Sequence, residues 1–305
     1  MSYSIETHVV HGSSPGPRLL ITGGVHGDEF EPMAAARRLI TRLDPTRLRG
    51  RVTIAPVVNV PAFRRGQRTA DDGLDLARTC PGKQDGTITE RIAFALAALI
   101  RDADYYIDLH TGGTRLQVWP LAGYMLHPDA AILDAQRRMA RAFGLPFIWG
   151  SDWRLEGRSL SVARDARVPA IYCEYLGGGG CEPAGIDAYE TGCLRVLREF
   201  GMIDESFPPT TASPLVAEDA RPGAGHMQVN LPAPQDGFFE PAVELGQRVR
   251  QGDSIGVVFD TLGSRPETVV APHAGIVIVL HRFASVVAGE SLGVVLDEST
   301  IVSPR

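Results

Sequence analysis

The stretch Leu19-Leu20-Ile21-Thr22-Gly23-Gly24-Val25-His26-Gly27-Asp28-Glu29 decides how the chain is read. Its apolar start, closed by two glycines, reads as a buried β-strand, after which Met33, Ala36, Ile40 and Leu43 recur at helical spacing. A strand that ends in a glycine turn and gives way to a helix is the repeating unit of a layered α/β domain. Val52 to Val58 reads as a second strand, and Thr87-Ile88-Thr89-Glu90 has the capping-box form ahead of the apolar run Ile92 to Ile100. Tyr105 to Leu109 follows as a strand, Ile132 to Phe143 as a helix, Ala170 to Tyr175 as a short β-rich run and Leu194 to Phe200 as the end of a closing helix. The repetition predicts an α/β fold, a mostly parallel sheet with helices on both faces.

The pattern changes between Pro208 and Gly225, where proline, alanine and small polar residues accumulate as they do in linkers. Beyond it, Ser254 to Phe259, Thr268 to Ala271, Gly275 to Leu280 and Gly293 to Leu296 are short β-rich runs broken by Gly, Pro and Asp. The expected division is therefore a catalytic domain over 1–207, a linker over 208–225 and a small all-β domain over 226–305. The segments around Gly252-Asp253 and Pro272-His273-Ala274-Gly275 look like a biotinyl or lipoyl carrier domain. Such a carrier is modified on a lysine, and the chain has no lysine after Lys83, so a swinging arm is excluded. What remains is a module that covers an active site or mediates homo-oligomerisation.

With 305 residues, 44% of them hydrophobic, the chain can bury a large core. A net charge of −6 and the lack of a long basic run argue against nucleic acid and for a small-molecule partner. The polar N-terminus has no apolar signal region, and no stretch approaches the ~18 consecutive apolar residues of a membrane span. Cys80, Cys173, Cys181 and Cys193 are irregularly spaced without a C-x-x-C pair, and read as reduced thiols in a cytoplasmic protein.

Three strand ends carry groups that could do chemistry. His26 and Glu29 lie in the first strand-to-helix turn, at the sheet edge where open α/β sheets bind ligands. A histidine and a glutamate three residues apart can converge on one cation; they can equally be an exposed histidine beside a helix start that favours acidic residues. His110 closes the strand Tyr105 to Leu109 ahead of Gly112-Gly113, which brings it to the same edge. Two histidines and one glutamate leave a coordination position open for water, as catalytic zinc sites do. Asp108, two residues earlier on the same strand face, reads either as a carboxylate orienting a ligand or as a solvated strand end. Glu174 interrupts an apolar run before Gly177 to Gly180. It is either a general base compensated by a nearby metal or the partner of an arginine.

In order, GGVHGDE, NVPAF, GLDLARTCPG, DLHTGG and CEYLGGGG resemble the succinylglutamate desuccinylase and aspartoacylase family, a branch of the zinc carboxypeptidase fold, over roughly residues 18 to 200. The resemblance implies a three-layer α/β/α domain with a mixed sheet, one zinc per chain on His26, Glu29 and His110, and Glu174 as the catalytic carboxylate. It also implies hydrolysis of the amide of an N-acylated amino acid or similar small molecule.

Arginine suits a substrate carboxylate or a developing oxyanion. The arginine candidates are Arg64, Arg65, Arg68 and Arg78. Asn59, Arg64 and Arg78 are the expected substrate-binding residues, and Arg68 is expected to polarise the scissile carbonyl, against the alternative of a solvated loop arginine. The family usually reads D-L-N-R-x-F-P-G where this chain has Asp75-Leu76-Ala77-Arg78-Thr79-Cys80-Pro81-Gly82, with alanine in place of asparagine. In the family that asparagine and arginine hold a substrate carboxylate, so its loss leads to the expectation of a substrate other than N-acetylaspartate or succinylglutamate. The rival readings are a zinc carboxypeptidase acting on short peptides and a non-catalytic zinc-containing binding protein.

Gly12-Ser13-Ser14-Pro15-Gly16 matches the serine-hydrolase elbow G-x-S-x-G, but it precedes a strand instead of following one, and reads as a hairpin turn. His226, His273 and His281 match no ligand spacing and read as surface histidines.

Overall fold

Aliphatic runs bounded by glycine and proline become strands, and the segments with helical periodicity become helices packed on both sides of them. The computed structural model describes residues 3–208 and 213–302. In chain order the first part comprises β1 (His8–His11), β2 (Ser14–Thr22), α1 (Phe30–Arg42), β3 (Arg49–Ala55), α2 (Val60–Arg65), α3 (Ile88–Arg101), β4 (Tyr105–His110), β5 (Leu116–Met125), α4 (Ala130–Phe143), β6 (Phe147–Ser151), α5 (Ser159–Asp165), β7 (Ala170–Gly177), α6 (Pro183–Glu199) and β8 (Leu215–Glu218). The second adds β9 (Gly237–Pro241), β10 (Arg248–Val249), β11 (Ser254–Phe259), β12 (Pro266–Val270), β13 (Gly275–His281), β14 (Ser285–Val286) and β15 (Gly293–Asp297).

The large sheet runs β1-β3-β2-β4-β7-β5, with β6 and then β8 continuing from β5. The pairs β2–β3, β2–β4, β4–β7, β5–β6 and β6–β8 are parallel, whereas β1–β3 and β5–β7 are antiparallel, so the sheet is mixed. One face buries Ile21, Ile107 and Cys173 beneath Leu39 of α1, Phe143 of α4 and Tyr189 of α6. The other buries Leu20, Tyr106 and Tyr172 beneath Ile92 and Leu96 of α3 and Ala163 of α5. These faces make three layers, with each fully buried aliphatic side chain contributing about 1.5–3 kcal/mol. The capping box at α3 forms as expected, Thr87 N–H donating to Glu90 Oε2 at 2.9 Å.

Three readings need correction. The Gly12 to Gly16 segment is no hairpin, because β3 lies between β1 and β2. Its backbone is held by β3 instead, with Gly12 N–H donating to Gly50 O at 2.8 Å; a Cβ at Gly12 would sit 2.4 Å from Leu48 O. Within the supposed linker, residues 209–212 lie outside the described residues, but Leu215–Glu218 is a strand parallel to β6. Its proline-flanked brevity hid it. Its anchor is Glu218, which accepts from Arg137 Nε and Nη2, each at 2.7 Å, and from Tyr124 Oη at 2.7 Å. Finally, His281 is buried, not a surface histidine, because it ends β13 opposite Leu116 of β5.

The C-terminal part is all β among the described residues apart from a 3-10 turn at Glu298–Thr300, but it is shared between two sheets. β9, β11, β12 and β14 form a four-stranded sheet of their own. β13, carrying β10 and β15, instead pairs antiparallel with the start of β5 and so extends the large sheet. That junction brings C-terminal residues to the edge where the functional groups collect.

Candidate active site

The β2–α1 turn, the end of β4 and the end of β7 meet at one sheet edge, with His110 directly opposite Glu174 in the β4–β7 register. Glu29 occupies the N-cap position of α1 but caps nothing with its side chain. Its carboxylate turns instead between two imidazoles: Oε1 lies 2.7 Å from His26 Nδ1 and Oε2 lies 3.0 Å from His110 Nδ1. All three residues are buried, and their potential ligand atoms lie within 4.8 Å of one another.

The far nitrogen of each ring is held as well. His26 Nε2 lies 3.0 Å from Asp75 Oδ1, and His110 Nε2 lies 3.1 Å from Asp108 Oδ2. With those nitrogens protonated, each ring donates to its carboxylate and presents a Nδ1 lone pair towards Glu29, the orientation metal-binding histidines take. Asp108 is itself fixed by Thr22 Oγ1 at 2.7 Å and by Ser159 Oγ, so it is a buried orienting carboxylate and not a solvated strand end. Tyr189 pins the end of β4 by donating to the His110 carbonyl.

The electrostatics favour positive charge at this point. Burial works to raise the Glu29 carboxyl, but His26 and His110 outweigh it and hold it far below the usual range. Burial works to lower His110, and Asp108 with Glu29 hold it well above its ordinary value. Two buried imidazoles set against the buried carboxylates of Glu29 and Asp108 and the half-buried one of Asp75 thus call for bound protons or a divalent cation. Two nitrogens and one carboxylate are the protein donors of open zinc sites, so the residues fit that metal.

Glu174 lines the same cleft as His26, Glu29 and His110. Its Oε2 is buried without a hydrogen-bond partner among the described residues. Burial pushes its carboxyl well up, His110 and Arg68 opposing and Glu29 and Asp108 adding to the rise. This is the environment of a proton-transferring carboxylate.

The arginines separate. Arg68 enters the cleft and grips Asp75 Oδ2 through Nε at 3.2 Å and Nη2 at 3.0 Å, with Nη1 3.7 Å from Glu29 Oε1. Arg78 also lines the cleft, donating to the Ala77 carbonyl and, at 3.1 Å, to Gln228 Oε1. Arg64 is exposed on α2 outside the cleft, where its charge acts on Tyr3. Asn59 is not at the cleft either. It is buried, accepts from Ala62 N–H at 3.2 Å as the N-cap of α2, and donates to the Val25 carbonyl at 3.4 Å, bracing the loop that carries His26.

Sequence reasoning passed over four groups. Asp75 stood in the GLDLARTCPG segment and had a signal in its position just before Arg78. Tyr172 had one too, since it shares a strand face with Glu174. Arg158, at the start of α5, and Gln228, beyond the supposed linker, come from loops without periodicity and had none. Arg158 is half-buried and, among the described residues, donates only weakly to neutral acceptors, the Gly225 carbonyl at 3.4 Å and His226 Nδ1 at 3.3 Å. Burial and the charge of Arg78 hold its pKa down at about 10.

Residues 15–200 match the family model described as the succinylglutamate desuccinylase/aspartoacylase catalytic domain. The chain is 32% identical over 292 residues to the N-alpha-acetyl-L-2,4-diaminobutyric acid deacetylase of Halomonas elongata, covering 92% of this chain and 82% of that one. A solved succinylglutamate desuccinylase from a Silicibacter species superposes with a TM-score of 0.86 at 27% identity, covering 97% of this chain and 92% of the other. The product-bound ectoine utilization protein of Ruegeria pomeroyi superposes with a TM-score of 0.85 at 28% identity, again covering 97% and 92%. The domain match runs through every strand end that carries a site residue, and the chain belongs to the succinylglutamate desuccinylase/aspartoacylase family.

Proposed function

We propose that the protein is a zinc-dependent amidohydrolase that removes the acyl group from an N-acylated amino acid. The observation that carries this reading is the pairing, in one cleft, of a buried His26–Glu29–His110 donor set with the buried, partly unpartnered carboxylate of Glu174. His26, Glu29 and His110 would hold the metal, which when bound supplies Lewis-acid polarisation of the acyl carbonyl and lets water act as a nucleophile near neutral pH.

Glu174 takes a proton from the attacking water and passes it to the leaving amine nitrogen as the carbon–nitrogen bond breaks, so that one carboxylic acid and one free amine result. Arg68 brings positive charge towards the developing oxyanion, and its grip on Asp75 holds the guanidinium in place. Arg158 and Arg78, whose acceptors are neutral, supply the site for the carboxylate of the amino-acid part. Met227 and Gln228 line the cleft from the C-terminal side, and Ser291 Oγ holds that wall by donating to the carbonyls of Met227 and Asn230 at 2.9 and 2.8 Å.

The deacetylase name of the Halomonas relative supports starting from N-acetyl amino acids. A screen of N-acetyl, N-succinyl and N-formyl amino acids against dipeptides, on zinc-loaded protein, tests the proposal. Turnover of one N-acyl class supports it; turnover of dipeptides alone replaces it with a peptidase.

A further inference from the structure

Tyr172 lies two residues before Glu174 on β7, so its side chain emerges on the same face and lines the same cleft. Its ring lies across Gly123, its register partner on β5, where a Cβ would come within 2.2 Å of ring atoms Cε1 and Cζ. Only a glycine at position 123 leaves room for the ring to lie this close to the sheet. The hydroxyl at its tip is buried and finds no hydrogen-bond partner among the described residues.

A buried hydroxyl without a partner is destabilising, and folds rarely keep one that nothing uses. The ring alone accounts for the packing, so the oxygen calls for another explanation. Glu174 and Arg158 both line the cleft with it and both act on it electrostatically, so the hydroxyl shares its cleft with the proton-transferring group and with the guanidinium assigned to the substrate carboxylate. The charge of Arg158 disfavours a cationic partner at this point. Burial pushes the phenol further above its ordinary pKa, so it remains a donor throughout the neutral range.

Resting on the function proposed above, we propose that the Tyr172 hydroxyl is a substrate-recognition group that donates a hydrogen bond, beside Arg158, to the carboxylate of the N-acylated amino acid. The hydroxyl then gains its partner only when substrate is bound.

The test is Tyr172→Phe in the full chain loaded with zinc, assayed on an N-acetyl amino acid and on the N-acetyl amine of the same length that lacks the carboxylate. The expected result is a KM about 10-fold higher or more for the amino acid, a kcat within about twofold, and no difference from wild type on the amine. The melting temperature should hold or rise, because the lost hydroxyl had no partner in the fold. An unchanged KM on an active wild-type background overturns this inference alone, as does an equal loss on both amides accompanied by a lower melting temperature. A wild type inactive on every N-acyl amino acid overturns the parent reading, and this inference falls with it. Gly123→Ala, which displaces the ring, should reproduce the KM effect; normal KM in a folded Gly123→Ala protein counts against the assignment.

Discussion

Asp75 and His26 are joined across 49 residues of sequence: Asp75 Oδ1 lies 3.0 Å from His26 Nε2, while Asp75 Oδ2 takes Arg68. One carboxylate therefore orients a metal-ligand candidate and an oxyanion-stabilising candidate at once. Burial would raise its pKa, but the bond from His26 and the charge of Arg68 hold it far below the carboxylate range. Asp75→Asn is expected to weaken zinc affinity by about 10–100-fold, the usual effect of losing a group that orients a ligand. Competition against a chelator of known affinity measures this. Unchanged affinity would detach Asp75 from the metal.

The arginines yield a contrast within one experiment. Arg158→Ala should raise KM for an N-acyl amino acid by roughly 10–100-fold, since a charge-assisted pair to the substrate is worth about 1.5–3 kcal/mol. Arg64→Ala, on an exposed helix outside the cleft, should leave kcat and KM within about twofold. Steady-state kinetics on both variants decide the matter, and equal effects would mean that the cleft is not where the carboxylate binds.

Glu218 tests whether the strand inside the supposed linker supports the hydrolytic sheet. Burial works to raise its carboxyl, and Arg137 with Tyr124 bring it below its ordinary value. A depressed folded-state pKa contributes stability that is present above the unfolded value, about 4.3, and is lost as pH falls through the folded value. Glu218→Gln should therefore cost about 1.5–3 kcal/mol near pH 7, with the gap from wild type narrowing below about pH 4. Urea unfolding at both pH values reads it. Equal stability at pH 7 would show that β8 is only laid against the sheet.

These cases also show what could be read from the chain alone. His26, Glu29, His110 and Glu174 were legible because each sits where a short apolar run stops at a glycine turn, and parallel strands deliver such ends to one edge. Thr87 and Glu90 were legible because capping is local. Strand neighbours are not local, so nothing near Gly12 announces that β3 separates β1 from β2. β5 was hidden by Pro120, accommodated where the β5–β7 register shifts between Val118 and Leu121. Asn59 and Arg64 stand in the right motif, yet one braces a loop and the other faces solvent. Arg158 and Gln228 become part of the site only after distant loops meet, which no spacing encodes.

The central claim, a metal-dependent hydrolase using Glu174 as its proton carrier, is tested most directly by measuring zinc content and amide hydrolysis together in Glu174→Gln. The account predicts one zinc per chain, as in wild type, with kcat reduced about 10²–10⁴-fold on a confirmed N-acyl amino acid. Full activity in that variant, or zinc-free wild type that hydrolyses the same substrate unaided, would contradict it.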